Sequence, residues 1–296
     1  MIKIETPQNW ADYEIIDSGQ GLKFERFGKY KLIRPEPQAL WSSSMPVSAW
    51  EQQADAIYQP SKSGNREAGI WEIKNKQLDQ KEWTIYYDLA KGVKIQFKLS
   101  LSAFKHVGIF PEQAVNWDYL YQSIKAMNQT EVQVLNLFAY TGGASLAARA
   151  AGATVTHIDS VKPVLSWARE NAEKSGFSQG IKWVAEDALS FAKREHKRTK
   201  QYHVIILDPP AYGRGPDGEK WVIEEHLNEL IYHCANILAP KGLIVCNLYS
   251  LGHSALILQT LLGVHLPNHQ VELIELAAKD SYAKFLPLGI IARTKQ

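Results

Sequence analysis

The sequence predicts a doubly wound, mostly parallel α/β sheet that follows a small amino-terminal β-rich domain. Residues 1–100 alternate short aromatic or β-branched stretches with turn-rich pieces. From Glu131 onward, short apolar runs alternate with longer segments of helical periodicity, and glycines stand where several of those helices should end. We therefore expect two domains, residues 1–100 and residues 101–296, of which the second is built on a parallel sheet.

Composition excludes several classes of protein. The 296 residues are 45% hydrophobic and 22% charged, which is typical of a globular chain and not of a disordered or collagen-like one. A net charge of +2 predicts that any contact with nucleic acid is local. No His, Cys or carboxylate spacing matches a metal site, so we expect no metal. The charged amino terminus and the lack of a long apolar run predict a cytoplasmic protein without a membrane partner.

The first domain is predicted from its strand-like and turn-like segments. Residues 30–33 and 83–87 are typical of strands, and residues 34–37 are typical of a turn. Five of the nine tryptophans lie in this region. Packing in the core explains them better than base stacking does.

The second domain is predicted element by element. A leading helix covers residues 112–127. The predicted strands are 132–139, 154–159, 181–186, 203–207 and 243–248. The predicted helices between and after them are 144–151, 163–175, 188–200, 221–238 and a segment from about 254. Two last apolar runs, 271–276 and 288–292, are so close in sequence that only a hairpin-like return joins them, which places one antiparallel strand near the end of the sheet.

A glycine turn follows the first of these strands, and ligands of open α/β sheets bind beyond the carboxyl ends of the strands. Gly142 and Gly143 let the backbone turn sharply and approach a ligand. The turn has neither the G-x-G-x-x-G spacing nor the lysine of a phosphate-binding loop, which favours a ligand without phosphates. Because any strand-to-helix turn favours glycine for steric reasons, a purely structural role stays open.

Two acids end the next two strands. Asp159 stands where a carboxylate accepts hydrogen bonds from both hydroxyls of a ribose. Asp187 stands where a carboxylate accepts a hydrogen bond from the exocyclic amine of adenine. Each acid also suits a plain helix cap.

The fourth strand ends in Asp208-Pro209-Pro210-Ala211-Tyr212. Two prolines remove two amide donors and fix two φ angles, so that the carboxylate and nearby carbonyls remain as acceptors for a planar NH₂ group, with Tyr212 beside them to stack. Taken in order, the four strand ends describe adenosine next to a planar substrate. The adenosine derivative that needs no phosphate site and reacts with a nucleophile is S-adenosylmethionine, whose methyl transfer depends mainly on orientation and desolvation.

These motifs resemble the class I S-adenosylmethionine-dependent methyltransferases related to the large-subunit ribosomal RNA cytosine-C5 methyltransferases. The resemblance rests on residues 136–144, 159–160, 186–188 and 208–212, and continues upstream in residues 105–113. Residues 34–41 look like the front domain of a subgroup without the usual amino-terminal RNA-binding domain. The resemblance implies a seven-stranded Rossmann-like sheet and the following cofactor contacts: Phe110, Gln113, Asn136, Phe138, Tyr140, Thr141, Gly142, Gly143, Asp159, Ser160, Asp187, Ala188 and Asp208.

One departure from that family bears on the mechanism. C5 methylation of cytosine needs a thiolate, yet Tyr249 stands where the related enzymes have their cysteine, and Cys246 fits a buried strand position. The sequence therefore favours direct in-line transfer to an exocyclic nitrogen of a base, with Asp208, Pro209, Pro210 and Tyr212 as the catalytic candidates.

We expect RNA, ribosomal RNA above all, as the substrate. A protein or small-molecule acceptor, a dehydrogenase, and a non-catalytic RNA-binding accessory are the alternatives. The sequence leaves the acceptor atom and the oligomeric state open.

Overall fold

The computed structural model describes residues 2–8, 10–61, 69–249 and 254–296. They fall into two compact units. The sheet unit contains Met1–Glu5, Gln113–Leu276 and Gly289–Gln296, and the front unit contains Thr6–Glu112 and Ala277–Leu288. The expected domain boundary after residue 100 stays a prediction. The compact units divide at 112/113, with residues 1–5 in the sheet unit and residues 277–288 in the front unit.

The elements are numbered here in chain order. The strands are β1 (Lys3–Glu5), β2 (Tyr13–Gly19), β3 (Leu22–Phe27), β4 (Tyr30–Pro35), β5 (Ala56–Pro60), β6 (Gly69–Ile73), β7 (Thr84–Ala90), β8 (Val93–Lys98), β9 (Gln133–Leu137), β10 (Thr154–Asp159), β11 (Ile181–Ala185), β12 (Tyr202–Leu207), β13 (Tyr212–Arg214), β14 (Lys220–Val222), β15 (Leu238–Leu248), β16 (Gln270–Lys279) and β17 (Phe285–Lys295). The helices are α1 (Val47–Gln53), α2 (Ala114–Ala126), α3 (Gly143–Ala150), α4 (Lys162–Lys174), α5 (Ala188–Lys197), α6 (Ile223–Asn236) and α7 (Ala255–His265), with a 3₁₀ turn at Pro111–Gln113 before α2.

The main sheet confirms the predicted fold class. In the described ranges its strand order is β1-β16-β17-β15-β12-β9-β10-β11. The pairs from β15 to β11 are parallel, and β17 is the predicted antiparallel strand, lying between β15 and β16. An eighth strand, β1, extends the seven expected ones by pairing with β16. This short polar segment carries no strand pattern of its own.

Apolar side chains cover both faces of the central strands. In β9, Val134 belongs to one buried cluster, whereas Leu135 and Leu137 belong to another. Successive strand residues point to opposite faces, so a strand buried on both faces has a nearly continuous apolar sequence. This double burial is why inner strands such as β9 and β12 were predictable from short apolar runs.

The predicted helix 221–238 is wrong at both ends. Trp221 lies in β14, which pairs with β13 in an antiparallel hairpin, and α6 begins only at Ile223. At the other end, Leu238 is already the first residue of β15. The indole of Trp221 is 3% exposed and bonds to a carbonyl of the preceding loop, and this tertiary contact outweighs the helical pattern that continues through the tryptophan.

The front unit is β-rich, as the sequence predicts. Strands β2 to β6 form a five-stranded sheet, and β7 and β8 form a separate two-stranded one. Trp50 and Trp83 are buried, and the Trp83 indole donates to the Phe27 carbonyl at 3.2 Å. These two tryptophans therefore serve the core.

A buried group of charges, here called the front ion cluster, joins β2, β3 and β4 of the front unit. Glu25 is fully buried and accepts bonds from Arg34 Nε at 2.7 Å and Nη2 at 2.8 Å, and from the Tyr13 hydroxyl at 2.8 Å. Burial alone raises the pKa of Glu25, but the positive charges of Arg34 and Lys23 outweigh it and hold that pKa below its usual value. Glu25 is therefore ionised in the folded protein.

Residues 277–288 join the front unit through a second polar contact. Lys284 Nζ lies 2.6 Å from Asp17 Oδ1, and the Ser18 hydroxyl donates to Asp280 Oδ2 at 2.7 Å. Asp17 also accepts the backbone N–H of Met45 at 2.8 Å. These bonds hold residues 277–288, which connect β16 and β17, within the front unit.

Candidate functional site

The strand order reverses between β9 and β12. From β9 the chain proceeds through β10 to β11 at one edge, then returns to β12 on the other side of β9. A ligand of a doubly wound sheet binds at this switch point, beyond the carboxyl ends of the strands. The loops that follow β9 and β12, which contain the glycine turn and Asp208, therefore stand next to each other at the place where a ligand is expected.

The loop after β9 has an unusual backbone. Phe138, Tyr140 and Gly142 have φ angles of 57°, 50° and 98°. The left-handed region costs a residue other than glycine roughly 1–2 kcal/mol. Two such residues within one loop are strain of the kind that concentrates at ligand-binding sites.

Glycine is required at the two positions of this loop for different structural reasons. Gly142 is required by its positive φ. A Cβ on Gly143 would lie 2.5 Å from the ring of Trp117, so glycine is required there by close packing. Close packing thus explains glycine at position 143. It does not explain the strained backbone around Gly142.

A row of hydrogen-bonded polar side chains is buried next to this loop. Asn136 Nδ2 donates to the Ser145 hydroxyl at 2.9 Å, and that hydroxyl lies 2.9 Å from His157 Nδ1. Burial lowers the pKa of His157 to about 3, so the ring is neutral at physiological pH.

Asp159, at the end of β10, connects two loops. Its Oδ2 accepts the backbone N–H of Tyr140 at 2.9 Å, and its Oδ1 accepts that of Val161 at 2.9 Å. Burial raises its pKa. A carboxylate oxygen has two lone pairs, so these bonds leave acceptor capacity for ribose hydroxyls. Ser160, the next residue, is half-buried.

The predicted residues after β11 have structural roles that are visible. Asp187 is the N-cap of α5, and its Oδ1 accepts the backbone N–H of Ser190 at 2.8 Å. Ala188 is buried in a core cluster. Thr141, in the neighbouring loop, is also buried, and its carbonyl accepts a bond from Asn171 at 3.0 Å. The capping role of Asp187 is therefore present, and its contact with adenine stays a prediction.

The acceptor-rich loop after β12 is held from both sides. Asp208 Oδ1 accepts a hydrogen bond from Asn247 Nδ2 at 2.9 Å. The Pro210 carbonyl accepts the Trp221 indole N–H at 2.7 Å, while Pro209 is buried. Tyr212 is 53% exposed on β13, so its ring is accessible for stacking.

Sequence reasoning missed Asn247 and Trp221. The available signal for Asn247 was a polar residue inside an apolar strand that neighbours the strand of Asp208. For Trp221 the signal was a tryptophan within a polar, glycine-rich stretch. The Trp221 ring also packs on Phe138, with centroids 4.8 Å apart, and so links the loops after β9 and β12.

Gln113 forms a hydrogen bond with Tyr249. Gln113 Nε2 donates to the Tyr249 hydroxyl at 2.6 Å, and Gln113 Oε1 accepts from Asn116 at 2.7 Å. Phe110 belongs to the front unit, where its ring lies 4.6 Å from that of His106. Cofactor contacts of Gln113 and Phe110 stay predictions.

Cys246 is the buried strand residue that the sequence predicts. It is fully buried in β15, and burial raises the pKa of its thiol well above the usual value. A thiolate at this position is therefore disfavoured at physiological pH.

Two features are absent from the described ranges. No group of three or more His, Cys, Asp or Glu side chains there has the arrangement of a metal site. Within the same ranges, no helix has the length and apolar character that crossing a membrane requires.

Comparison with known proteins identifies the family. The model of the S-adenosylmethionine-dependent methyltransferase family matches residues 79–276. The chain belongs to this family. The predicted enzyme class and its cofactor, S-adenosylmethionine, are thereby confirmed. Membership of the subgroup without an amino-terminal RNA-binding domain stays a prediction.

Relatives with similar sequences include ribosomal RNA large subunit methyltransferase K/L. The chain is 32% identical to that protein of Shewanella frigidimarina over 155 residues, covering 51% of this chain and 20% of the relative. It is 30% identical to that of Hahella chejuensis over 192 residues, covering 63% of this chain and 25% of the relative. The chain thus spans a fifth to a quarter of the length of these curated relatives.

Solved structures match over nearly the full length. The SAM-dependent methyltransferase of Agrobacterium tumefaciens has a TM-score of 0.91 at 35% identity, covering 100% of this chain and 93% of the other. The methyltransferase SMU.776, solved in complex with SAH, has a TM-score of 0.71 at 19% identity, covering 96% of this chain and 75% of the other. The second likeness concerns the fold alone.

Proposed function

We propose that this methyltransferase transfers a methyl group from S-adenosylmethionine to an exocyclic nitrogen of a base in RNA, with ribosomal RNA as the favoured substrate. The observation that carries the acceptor side is the Asp208 carboxylate, which follows β12 at the switch point and is bonded to Asn247 at 2.9 Å. The proposal also places the protein in the cytoplasm, where such a substrate is found.

The residues of the cofactor side fit an adenosine without phosphates. Asp159 is a half-buried acceptor suited to ribose hydroxyls, and the loop through Gly142 has the strained, glycine-dependent backbone of a ligand-binding turn. Asp187 or its neighbouring amides would hold the adenine, and the predicted contacts of the other cofactor residues belong to the same proposal. When bound, S-adenosylmethionine supplies a methyl group made electrophilic by its sulfonium.

Asp208 orients the acceptor in this mechanism. Its carboxylate accepts a hydrogen bond from the amino group of the base, with the Pro209 carbonyl as a second acceptor and Tyr212 as a stacking surface. Asp208 then takes up the proton that the nitrogen loses as the new N–C bond forms and the electrons of the methyl–sulfur bond return to sulfur. Orientation of this kind supplies much of the rate in reactions without a covalent intermediate.

RNA is favoured by the names of the relatives, which methylate the RNA of the large ribosomal subunit. A base inside folded RNA must leave its stack to enter such a site, which costs a few kcal/mol and favours unpaired targets. The half-exposed ring of Tyr212 fits a contact with an extruded base.

Methyl transfer from labelled S-adenosylmethionine tests the proposal. Purified protein is incubated with total RNA from a strain that lacks the gene and from the wild type, and the digested nucleosides are identified by mass spectrometry. We expect label only in the RNA of the deletion strain, on an exocyclic nitrogen. Asp208→Asn should lower kcat about 100-fold or more, whereas Asp217→Asn, an exposed acid of the β13–β14 hairpin, serves as the matched control.

Each alternative has its own result. Label in protein or in a small molecule would replace RNA as the acceptor. Binding of SAH and RNA without any transfer would favour a non-catalytic accessory. Thermal stabilisation by NAD and not by SAH would favour a dehydrogenase and end the proposal.

A further inference from the structure

Asn247 is a polar residue in an otherwise apolar stretch of β15. Its neighbours Val245, Cys246 and Leu248 are buried, and Asn247 itself is only 2% exposed. Leu207 of β12 pairs with Cys246 of β15, so the residues that follow each of them, Asp208 and Asn247, stand side by side. The register of two parallel strands therefore brings this amide to the Asp208 carboxylate.

The orientation of the Asn247 amide is fixed by that carboxylate. Nδ2 donates to Asp208 Oδ1 at 2.9 Å, which leaves Oδ1 of the amide buried and, within the described part of the chain, without a partner. The reverse orientation would place two oxygens against each other. An unmade bond of a buried polar group costs about 1–3 kcal/mol, so stability alone does not account for asparagine at this position.

Strand β17 lies on the other side of the Asn247 side chain. A Cβ added to Gly289 of β17 would lie 3.6 Å from Asn247 Oδ1 and 3.6 Å from the Tyr249 ring. The same Cβ would lie 3.1 Å from the Leu248 carbonyl. The Asn247 amide is therefore within van der Waals reach of β17, and the tight approach at Gly289 is to the Leu248 carbonyl.

We propose that Asn247 is a positioning residue that fixes the Asp208 carboxylate for the amino group of the acceptor base. The inference rests on the proposed function and deepens it. A hydrogen bond to Oδ1 sets the rotation of the carboxylate, and its acceptor lone pairs then have one direction in which to meet an N–H donor. The preferred substrates are therefore bases with an exocyclic amine, namely adenine, cytosine or guanine, and not uracil.

Two variants and one control test this role. Asn247→Leu removes the bond to Asp208 and the orphaned amide oxygen together, and Asn247→Asp keeps the shape but places a like charge beside Asp208. Thr294→Val is the control, because the Thr294 hydroxyl accepts the backbone N–H of Ile244 at 2.8 Å in the same strand, outside the predicted site. The readouts are the melting temperature, SAH affinity by calorimetry, and kcat and KM with RNA.

We expect Asn247→Leu to lower kcat about 10- to 100-fold, and Asn247→Asp about 100-fold or more, with SAH affinity within twofold of the wild type. Thr294→Val should lose stability and keep kcat within twofold. The product of the wild type should carry its methyl group on an exocyclic nitrogen.

Three results would overturn the inference. An Asn247→Leu enzyme with wild-type kcat would show that the bond to Asp208 does not matter for transfer. If kcat falls in step with the melting temperature in all variants, Thr294→Val included, Asn247 is a structural residue. A wild-type enzyme that labels uracil, or transfers nothing at all, would remove the proposed function and the inference with it.

Discussion

The front ion cluster and the Asp208–Asn247 pair both bury polar side chains, but they use their hydrogen bonds differently. In the cluster, both oxygens of Glu25 accept bonds from Arg34, and one of them also accepts from Tyr13. At the strand ends, Asn247 donates to Asp208 while its own oxygen has no partner in the described ranges.

This difference separates a structural network from a site. The polar groups of the front ion cluster form hydrogen bonds with each other, hold three strands together and are not available to a ligand. A buried polar atom left unsatisfied needs another explanation, and a functional role is one such explanation. Four changes, in order of expected effect, break or sharpen this comparison.

The largest effect is expected from Arg34→Met. The change leaves the Glu25 carboxylate buried without its main partner, which should cost about 3–5 kcal/mol in the free energy of unfolding. The double variant Arg34→Met/Glu25→Leu should recover most of that loss, because the charge is removed with its partner. Urea unfolding measures the free energy of unfolding of both variants. A value for Arg34→Met within about 1 kcal/mol of the wild type would show that the buried Glu25 carboxylate does not depend on Arg34.

Gly143→Ala should come next. Its Cβ would lie 2.5 Å from a Trp117 ring that is 2% exposed, and overpacking of this kind costs about 1–3 kcal/mol. Trp117→Phe removes the ring atoms concerned, so the double variant should be more stable than the sum of the two single changes predicts. Additive losses in thermal unfolding would contradict the packing explanation for this glycine.

The third effect depends on pH. Burial lowers the pKa of His157 to about 3, below that of the unfolded chain, so the unfolded state binds more protons as pH falls. Stability is therefore complete above about pH 6.5 and is lost below it, by about 2 kcal/mol at pH 5. His157→Gln should lack this part of the pH dependence. Equal slopes of unfolding free energy against pH for both proteins would show that His157 is not the group responsible.

The smallest effect is expected at Asp187. Asp187→Ala removes the N-cap of α5 and should cost about 1 kcal/mol, whereas Asp187→Asn keeps an acceptor and should cost less than half of that. If Asp187 also holds the adenine, the alanine variant binds SAH more weakly in calorimetry. Unchanged SAH affinity in Asp187→Ala would leave the cap as the whole role of this residue.

Much of the sheet unit was predictable because the inner strands of its sheet are buried on both faces. Strand β10 was predicted with the bounds it has, and β9, β11 and β12 within two residues at either end. The hairpin of β13 and β14 was missed because two three-residue strands carry no periodicity, and Trp221 continues the helical pattern of α6. Strand β1 was missed because it is short and polar.

The sequence by itself determined the fold class, the family and the order of candidate residues at the strand ends, because these depend on local patterns of apolar residues, glycines and acids. Only the tertiary structure decided which polar atoms meet. Asn247 reaches Asp208, and Trp221 reaches the Pro210 carbonyl, across 39 and 11 positions of sequence. Such contacts depend on the register of neighbouring strands and on hairpin geometry, and no local pattern specifies them.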